Sequence, residues 1–259
     1  MKETINNLYN YRQLLKSNVK KDIRGKYKGS FLGILWSFVN PLLMTLVYAI
    51  VFPFLLKSTE PNYVTFIVIG ILPWTYFTTT ITLSHSCVLY NGGIIKKVYF
   101  PREILPISVN VSGLINFLIS CLIIFIFLIF SGIGFSFYIF LLPIVILTQF
   151  ILTQSLAFII SAVNVYVRDL EYIVSFFVNM LFYATPILYS ASLFNDSFIK
   201  YLIMINPMAT IIESYRNILF YKTMPNIVPL LIVLIISIVL LFISLKIFKK
   251  LERGFAEEV

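Results

Sequence analysis

Six stretches of this chain stay apolar long enough to cross a bilayer: Phe31–Leu56, Tyr63–Thr82, Ile104–Phe130, Phe137–Val163, Tyr172–Tyr189 and Ile227–Phe248. Roughly 20 helical residues cover about 30 Å of hydrocarbon, so the pattern predicts six transmembrane helices and no soluble domain. Ahead of them the period changes. Ile5, Leu8, Tyr11, Leu15, Val19, Ile23 and Tyr27 recur every three or four residues, and Arg12, Lys16, Lys20, Arg24 and Lys28 follow every four on an adjacent face. That is an amphipathic helix lying in the membrane interface, its stripe in acyl chains and its cations near anionic head groups. Anchoring is its simplest role; steering a lipid-borne anionic substrate or a partner is the sharper one.

Phe198–Phe220 is apolar only in patches, broken by Lys200, Asn206, Pro207, Glu213 and Arg216. Topology decides its place. With six spans and the N-terminus inside, sixteen of the twenty Lys and Arg fall in inner segments, as cytoplasmic loops prefer. A seventh crossing would put the basic C-terminus outside. The segment is therefore expected to dip in from the outer face. Asn206-Pro207 reads as a helix N-cap followed by proline at the first helical position, dividing two short helices. One all-α integral membrane domain over 1–259 is expected: a cytoplasmic amphipathic helix (1–30), six spans (31–248) and a cytoplasmic tail (249–259).

Composition sharpens this. The 259 residues are 59% hydrophobic and 12% charged, which excludes a water-soluble globular protein. The net charge of +9 is what cations retained on one side of a membrane produce, and nucleic acid is not needed to explain it. Cys87 and Cys121 stand far apart without metal-ligand or redox spacing, and His85 is the single histidine, so no metal site is expected. No Asp, Glu, Lys or Arg lies in the middle of a span, which argues against an ion-coupled carrier. There is no GxxxxGK[ST] phosphate loop and no Asp-rich cluster, so no enzyme activity is expected of this chain alone. Any uphill transport draws its energy from another polypeptide. Two inner loops have the composition of docking surfaces: His85–Glu103, with the Asn91-Gly92-Gly93 turn, and a compact one holding Arg168, Asp169 and Glu171.

The run "VKKDIRGKYKGSFLGILWSFVNPLLMTLVYAIVF" resembles the start of type-2 ABC exporter permeases for cell-surface polysaccharides, through Tyr27, Ser30, Leu32, Gly33, Trp36 and Pro41. "GILPWTYF", "FPRE", "VRDLEYI", "FYATPILYS", "INPMATIIESYRNILF" and "FKKLERGFAEEV" extend the likeness along nearly the whole chain. The resemblance implies export of O-antigen-, teichoic-acid- or capsule-like glycan on a polyprenyl diphosphate across the bacterial cytoplasmic membrane, with both termini cytoplasmic. Two permease chains would pair with two ATPase chains, and those would bind ATP and Mg. It makes Gly92, Gly93, Lys96, Lys97, Arg102, Glu103, Arg168, Asp169 and Glu171 coupling residues. It makes residues 193–222 a pair of outer gate helices, with Asn206, Pro207, Tyr215 and Arg216. For a sliding glycan, aromatic rings offer stacking faces, and Trp36, Tyr48, Trp74, Tyr76, Tyr183 and Tyr189 are the expected lining residues. The rivals are a permease for a small drug or lipid, a membrane enzyme of glycan assembly, and an assembly scaffold.

Overall fold

The computed structural model describes residues 2–27, 29, 31, 33–56, 62–190, 203 and 205–259. Among them the chain is helical and without strands: α1 Lys2–Asn10, α2 Arg12–Tyr27, α3 Trp36–Leu56, α4 Tyr63–Ser86, α5 Gly92–Ile95, α6 Ile104–Phe130, α7 Leu142–Tyr166, α8 Leu170–Ala184, α9 Pro207–Leu219, α10 Ile227–Leu251 and α11 Phe255–Glu258. Four helical stretches are long and apolar enough to cross a membrane: Tyr63–Ser86, Ile104–Phe130, Phe137–Tyr166 and Ile227–Glu258. Two shorter apolar stretches, Val39–Phe52 and Leu170–Ala184, accompany them. This is a multi-pass membrane protein.

The axis of the bundle is α4, which α3, α6, α7, α8 and α9 all touch. It is apolar nearly all round, the mark of a helix enclosed by others, and every residue from Thr65 to Phe77 except Thr75 is buried. Pro73 removes one ladder donor inside it. Polar side chains tie its neighbours together. Gln149 Nε2 on α7 donates to the Pro73 carbonyl at 2.8 Å, and the Tyr215 hydroxyl on α9 donates to Gln149 Oε1 at 2.9 Å. The Tyr76 hydroxyl donates to Asn110 Oδ1 at 2.6 Å, and Asn110 Nδ2 donates to Gln154 Oε1 at 3.0 Å. Such interhelical bonds contribute about 0.6 kcal/mol each on average inside membrane proteins. On the far flank α7 pairs with α10, where Ser155 Oγ donates to the Ser237 carbonyl at 3.1 Å.

The fifth apolar stretch departs from the expected Tyr172–Tyr189. Its helix, α8, runs Leu170–Ala184, 15 residues or about 22 Å of rise. The cause is local: Thr185 precedes Pro186, which pushes it out of helical space to φ −99°, ψ 136°. The carbonyls beyond are taken up by side chains. Arg216, 1% exposed on α9, donates to the carbonyls of Pro186 and of Ile187 (2.5 Å), and the Tyr63 hydroxyl donates to that of Leu188 at 2.6 Å. The guanidinium also stacks on Phe66, 3.5 Å from the ring centroid. Gly70 makes room for it: a Cβ there would stand 2.8 Å from Arg216 Nη2 and 3.3 Å from the Ile187 carbonyl oxygen.

At the opposite end of the bundle the two ends of the chain meet. The amphipathic stretch is two helices joined at Tyr11 rather than one, and the Tyr11 and Leu15 amides keep the helical ladder across the join. Asn7 Nδ2 donates to Glu103 Oε1 (3.3 Å) and Lys21 Nζ to Asn91 Oδ1 (3.1 Å), while α2 packs along α6. Burial pushes the Cys87 thiol up, and it holds the Asp22 carboxyl above its ordinary range against the opposing pull of Lys21. Asp22 Oδ2 is enclosed with no hydrogen-bond partner among the described residues.

Two predictions follow from this packing. Gly70→Ala should destabilise the detergent-solubilised protein by about 1–3 kcal/mol, the usual effect of overpacking, read as a lower thermal midpoint; Gly25→Ala, in open space on α2, should not. The raised pKa of Asp22 means that its ionised form is disfavoured in the folded chain. Its share of stability is present at low pH and lost as pH rises through the folded value. Asp22→Asn should therefore strengthen hydrogen-exchange protection of α2 at neutral pH and remove the pH dependence there.

Candidate substrate groove and coupling surface

On α4, Thr75, Thr78, Thr79 and Thr82 stand three, four and seven residues apart, which places them on one helical face. That face looks onto a groove of about 560 Å³ between α3, α4 and α8. Met44 and Tyr48 border it from α3, and Ser175, Asn179, Phe182 and Tyr183 from α8. Thr75 Oγ1 donates to the Ile71 carbonyl (2.7 Å) and Thr78 Oγ1 to that of Thr75 (3.3 Å), so both hydroxyls are held by their own helix. Aromatic rings border the groove from all three helices: Tyr48 of α3 and Trp74 of α4 each meet Phe182 of α8, at 5.7 and 6.0 Å between centroids, and Phe182 meets Tyr183 at 5.2 Å.

A second cavity of about 550 Å³ lies on the other side of α8, walled by Phe77, Leu152, Leu156, Leu181, Ile203 and Met208, with Tyr189 at its border. Trp74 and Tyr183 border both spaces. Asn206 sits beside it as the N-cap of α9, its Oδ1 accepting from the Met208 amide at 3.0 Å, with Pro207 as the first helical residue. The short helix expected before Asn206 lies mostly outside the described residues.

The expected lining residues divide. Tyr48, Trp74 and Tyr183 line the groove, and Tyr189 the apolar cavity. Trp36 opens α3 partly exposed and is not among the groove residues. Tyr76 is turned the other way: it is 4% exposed, stacked on Phe117 at 5.4 Å and bonded to Asn110, because it stands on the face of α4 that meets α6. Of the expected gate residues, Tyr215 and Arg216 are buried and hold the bundle together by the bonds given above. The threonine face was missed; the run "TTTITL" on an apolar helix was its signal.

The residues expected to couple gather where the chain ends meet. Gly93, Lys96, Lys97, Arg168 and Asp169 are exposed, among exposed Tyr90, Ile94, Val98, Tyr99 and Tyr172. His85 Nδ1 stands 3.7 Å from Glu171 Oε2, joining the last turn of α4 to the first of α8. Glu103 departs from the expectation of a partner contact, since it is 2% exposed and receives Asn7. Gly92 is buried and Arg102 turns to the Glu252 carbonyl. On α2, Arg12 donates to the Tyr9 carbonyl at 3.0 Å, while Lys16, Lys20 and Arg24 border a cleft of about 420 Å³ against Val111 and Ile115 of α6. The side chain of Tyr27, and Lys28 altogether, lie outside the description. Among the described residues no three His, Cys, Asp or Glu side chains gather as a metal site would need.

Over 256 residues, 98% of each chain, the protein is 36% identical to the O-antigen export system permease protein RfbA of Myxococcus xanthus. Two proteins of that name from Klebsiella pneumoniae are 36% and 37% identical to it over 246 residues, 94% of each chain. The ABC-2 type transporter family matches residues 13–220, a stretch that takes in the groove, both inner loops and the Arg216 clamp. With that match and those relatives, the chain belongs to the ABC-2 type transporter family.

Proposed function

We propose that this chain is the membrane-spanning subunit of an ATP-driven exporter that carries a lipid-linked, O-antigen-type polysaccharide across the bacterial cytoplasmic membrane. The observation that carries the reading is the groove. It presents polar groups and aromatic rings side by side, and a sugar has a polar rim and C–H faces that suit both. Contacts of that kind tolerate a polymer sliding past. The names of the relatives point to the same cargo.

In this reading the domain spans 1–259, with α1 and α2 in the interface, six crossings between residues 31 and 248, and the tail at 249–259. Both chain ends meet at one end of the bundle, which supports an even number of crossings with both termini cytoplasmic. The fifth crossing is then α8 plus the folded segment after it, and α9 with the element before Asn206 forms the outer gate. Exposed apolar faces of α3 and α8 flank the groove, where a second copy of the chain would complete the path. Two ATPase chains would dock on the inner loops and bind the ATP and Mg. Their closure would shift α8 against α3 through Arg168, Asp169 and Glu171, and the groove would open.

A strain lacking the gene should lose surface polysaccharide and build up lipid-linked polymer inside. Unchanged surface glycan would instead favour the small-molecule or lipid permease, which the neighbouring apolar cavity would suit; polymer absent everywhere would favour an assembly enzyme or scaffold. Tyr48→Ala with Tyr183→Ala should lower export while ATP hydrolysis by the complex persists, and Tyr48→Phe should retain export. Arg168→Ala, or Asp169→Asn with Glu171→Gln, should leave a folded complex that hydrolyses ATP without exporting; normal export in those variants would remove the coupling role.

A further inference from the structure

The last eight residues do not trail from α10. After Leu251 the chain makes a 3₁₀ turn, Glu252–Gly254, and then α11 folds back under the bundle. Phe255 is fully buried, meeting Phe248 at 5.5 Å and Tyr166 at 6.3 Å between ring centroids. Tyr166, the final residue of α7, donates its hydroxyl to the Leu251 carbonyl at 2.6 Å, and a Cβ at Gly254 would stand 2.5 Å from that oxygen. Arg102 donates to the Glu252 carbonyl. Val259 lies on Gly92, where a Cβ would run into its Cγ1. Three separate parts of the chain are thus bound to one short tail: α5 in the first inner loop, Arg102 two residues before α6, and the end of α7.

We infer that residues 249–259 are a strap that holds the first inner loop rigidly to α7 and α10, with Phe255, Val259 and Gly92 as positioning residues for coupling. The inference rests on the coupling reading above. A docked ATPase moving Lys96 and Lys97 would otherwise bend a half-exposed four-residue helix, and the motion would dissipate in the loop. With the strap in place, α5 can move only with the α7–α10 pair. Beyond Tyr166 the second loop is looser: among the described residues Arg168 and Asp169 are exposed and α8 buries only Val174, with the His85–Glu171 pair joining its first turn to α4, so α8 is the element most able to move against that body.

A disulfide lock tests this. A Cβ at Gly92 would stand 3.3 Å from that of Val259, close to the roughly 3.5–4.5 Å that a disulfide spans, so Gly92→Cys with Val259→Cys should oxidise readily. Cys87 and Cys121 are buried and should not compete. The readouts are surface polysaccharide and ATP hydrolysis by the full chain purified with its ATPase partner. The oxidised pair should export as well as wild type, because a strap that stays closed loses nothing by being locked. Gly92→Cys alone, which drives its side chain into Val259, should lower export about tenfold, within the usual range of coupling effects, with ATP hydrolysis retained; the second cysteine relieves the clash. Phe255→Ala should uncouple in the same way and Phe255→Leu should not. Failure of the pair to oxidise, loss of export on oxidation, or wild-type export by Phe255→Ala would each overturn the strap. Should Phe255→Ala not fold, the cysteine pair still decides. A wild-type chain that binds no ATPase would sink the coupling reading itself, which separates the two failures.

Discussion

A helix that stops inside a bilayer leaves its last carbonyls without partners, and no water is at hand to supply them. One end of this bundle is arranged around that constraint. Thr185-Pro186 ends α8 after 15 residues; Thr185 and Tyr189 donate to the last-turn carbonyls of Leu181 (2.6 Å) and Tyr183 (3.1 Å), and Arg216 and Tyr63 take up the carbonyls of residues 186–188 just beyond. The clamp in turn dictates its surroundings: Gly70 must lack a side chain, Phe66 must present its face, and α9 must lie deep enough for a long cation to arrive. A buried arginine is costly unless all its bonds are made, and removing it would leave the carbonyls stranded as well. That mutual dependence is why a charged residue sits in a segment that is otherwise largely apolar.

The same helix, α4, serves a buried interior and an open groove on opposite faces. Toward α6 and α7 it offers Tyr76 and the Pro73 carbonyl to Asn110 and Gln149, and those bonds fix helix rotation. Toward α3 and α8 it offers threonines, which need no protein partner since their own helix holds them. α7 and α10 are tied to each other and, through the tail, to the first inner loop. α3 and α8, with most of their surface exposed, are the less constrained elements. A transporter needs this division, because something must stay still for something else to move.

Much of this was legible from residue order. The apolar run Ile104–Phe130 is the helix α6 residue for residue, and Asn206-Pro207 caps α9 as its chemistry requires. The amphipathic start was readable too, apart from its join at Tyr11. The stop of α8 could have been read from "YATPIL", but its apolar composition suggested continuation. What could not be read was rotation. A helix apolar all round carries no mark of which face meets which neighbour, so Tyr76 was expected on the path and the threonines were passed over. Glu103 looked like a surface charge because nothing local tells that Asn7, 96 positions earlier, covers it. The tail was expected only as a cytoplasmic end, for the same reason: Phe255 finds Tyr166 and Phe248 only after the bundle has formed.

The back-bonded threonines carry a chemical polarity of their own. Thr75 and Thr78 give their protons to their own helix, so what they show the groove is lone pairs. Those two positions welcome hydroxyl protons and offer none to an anion, while Asn179, Tyr48 and Tyr183 across the groove carry donors. A hydroxyl meeting α4 would give its proton to Thr75 or Thr78, and a phosphate or carboxylate would have to turn to the donors of the facing helices.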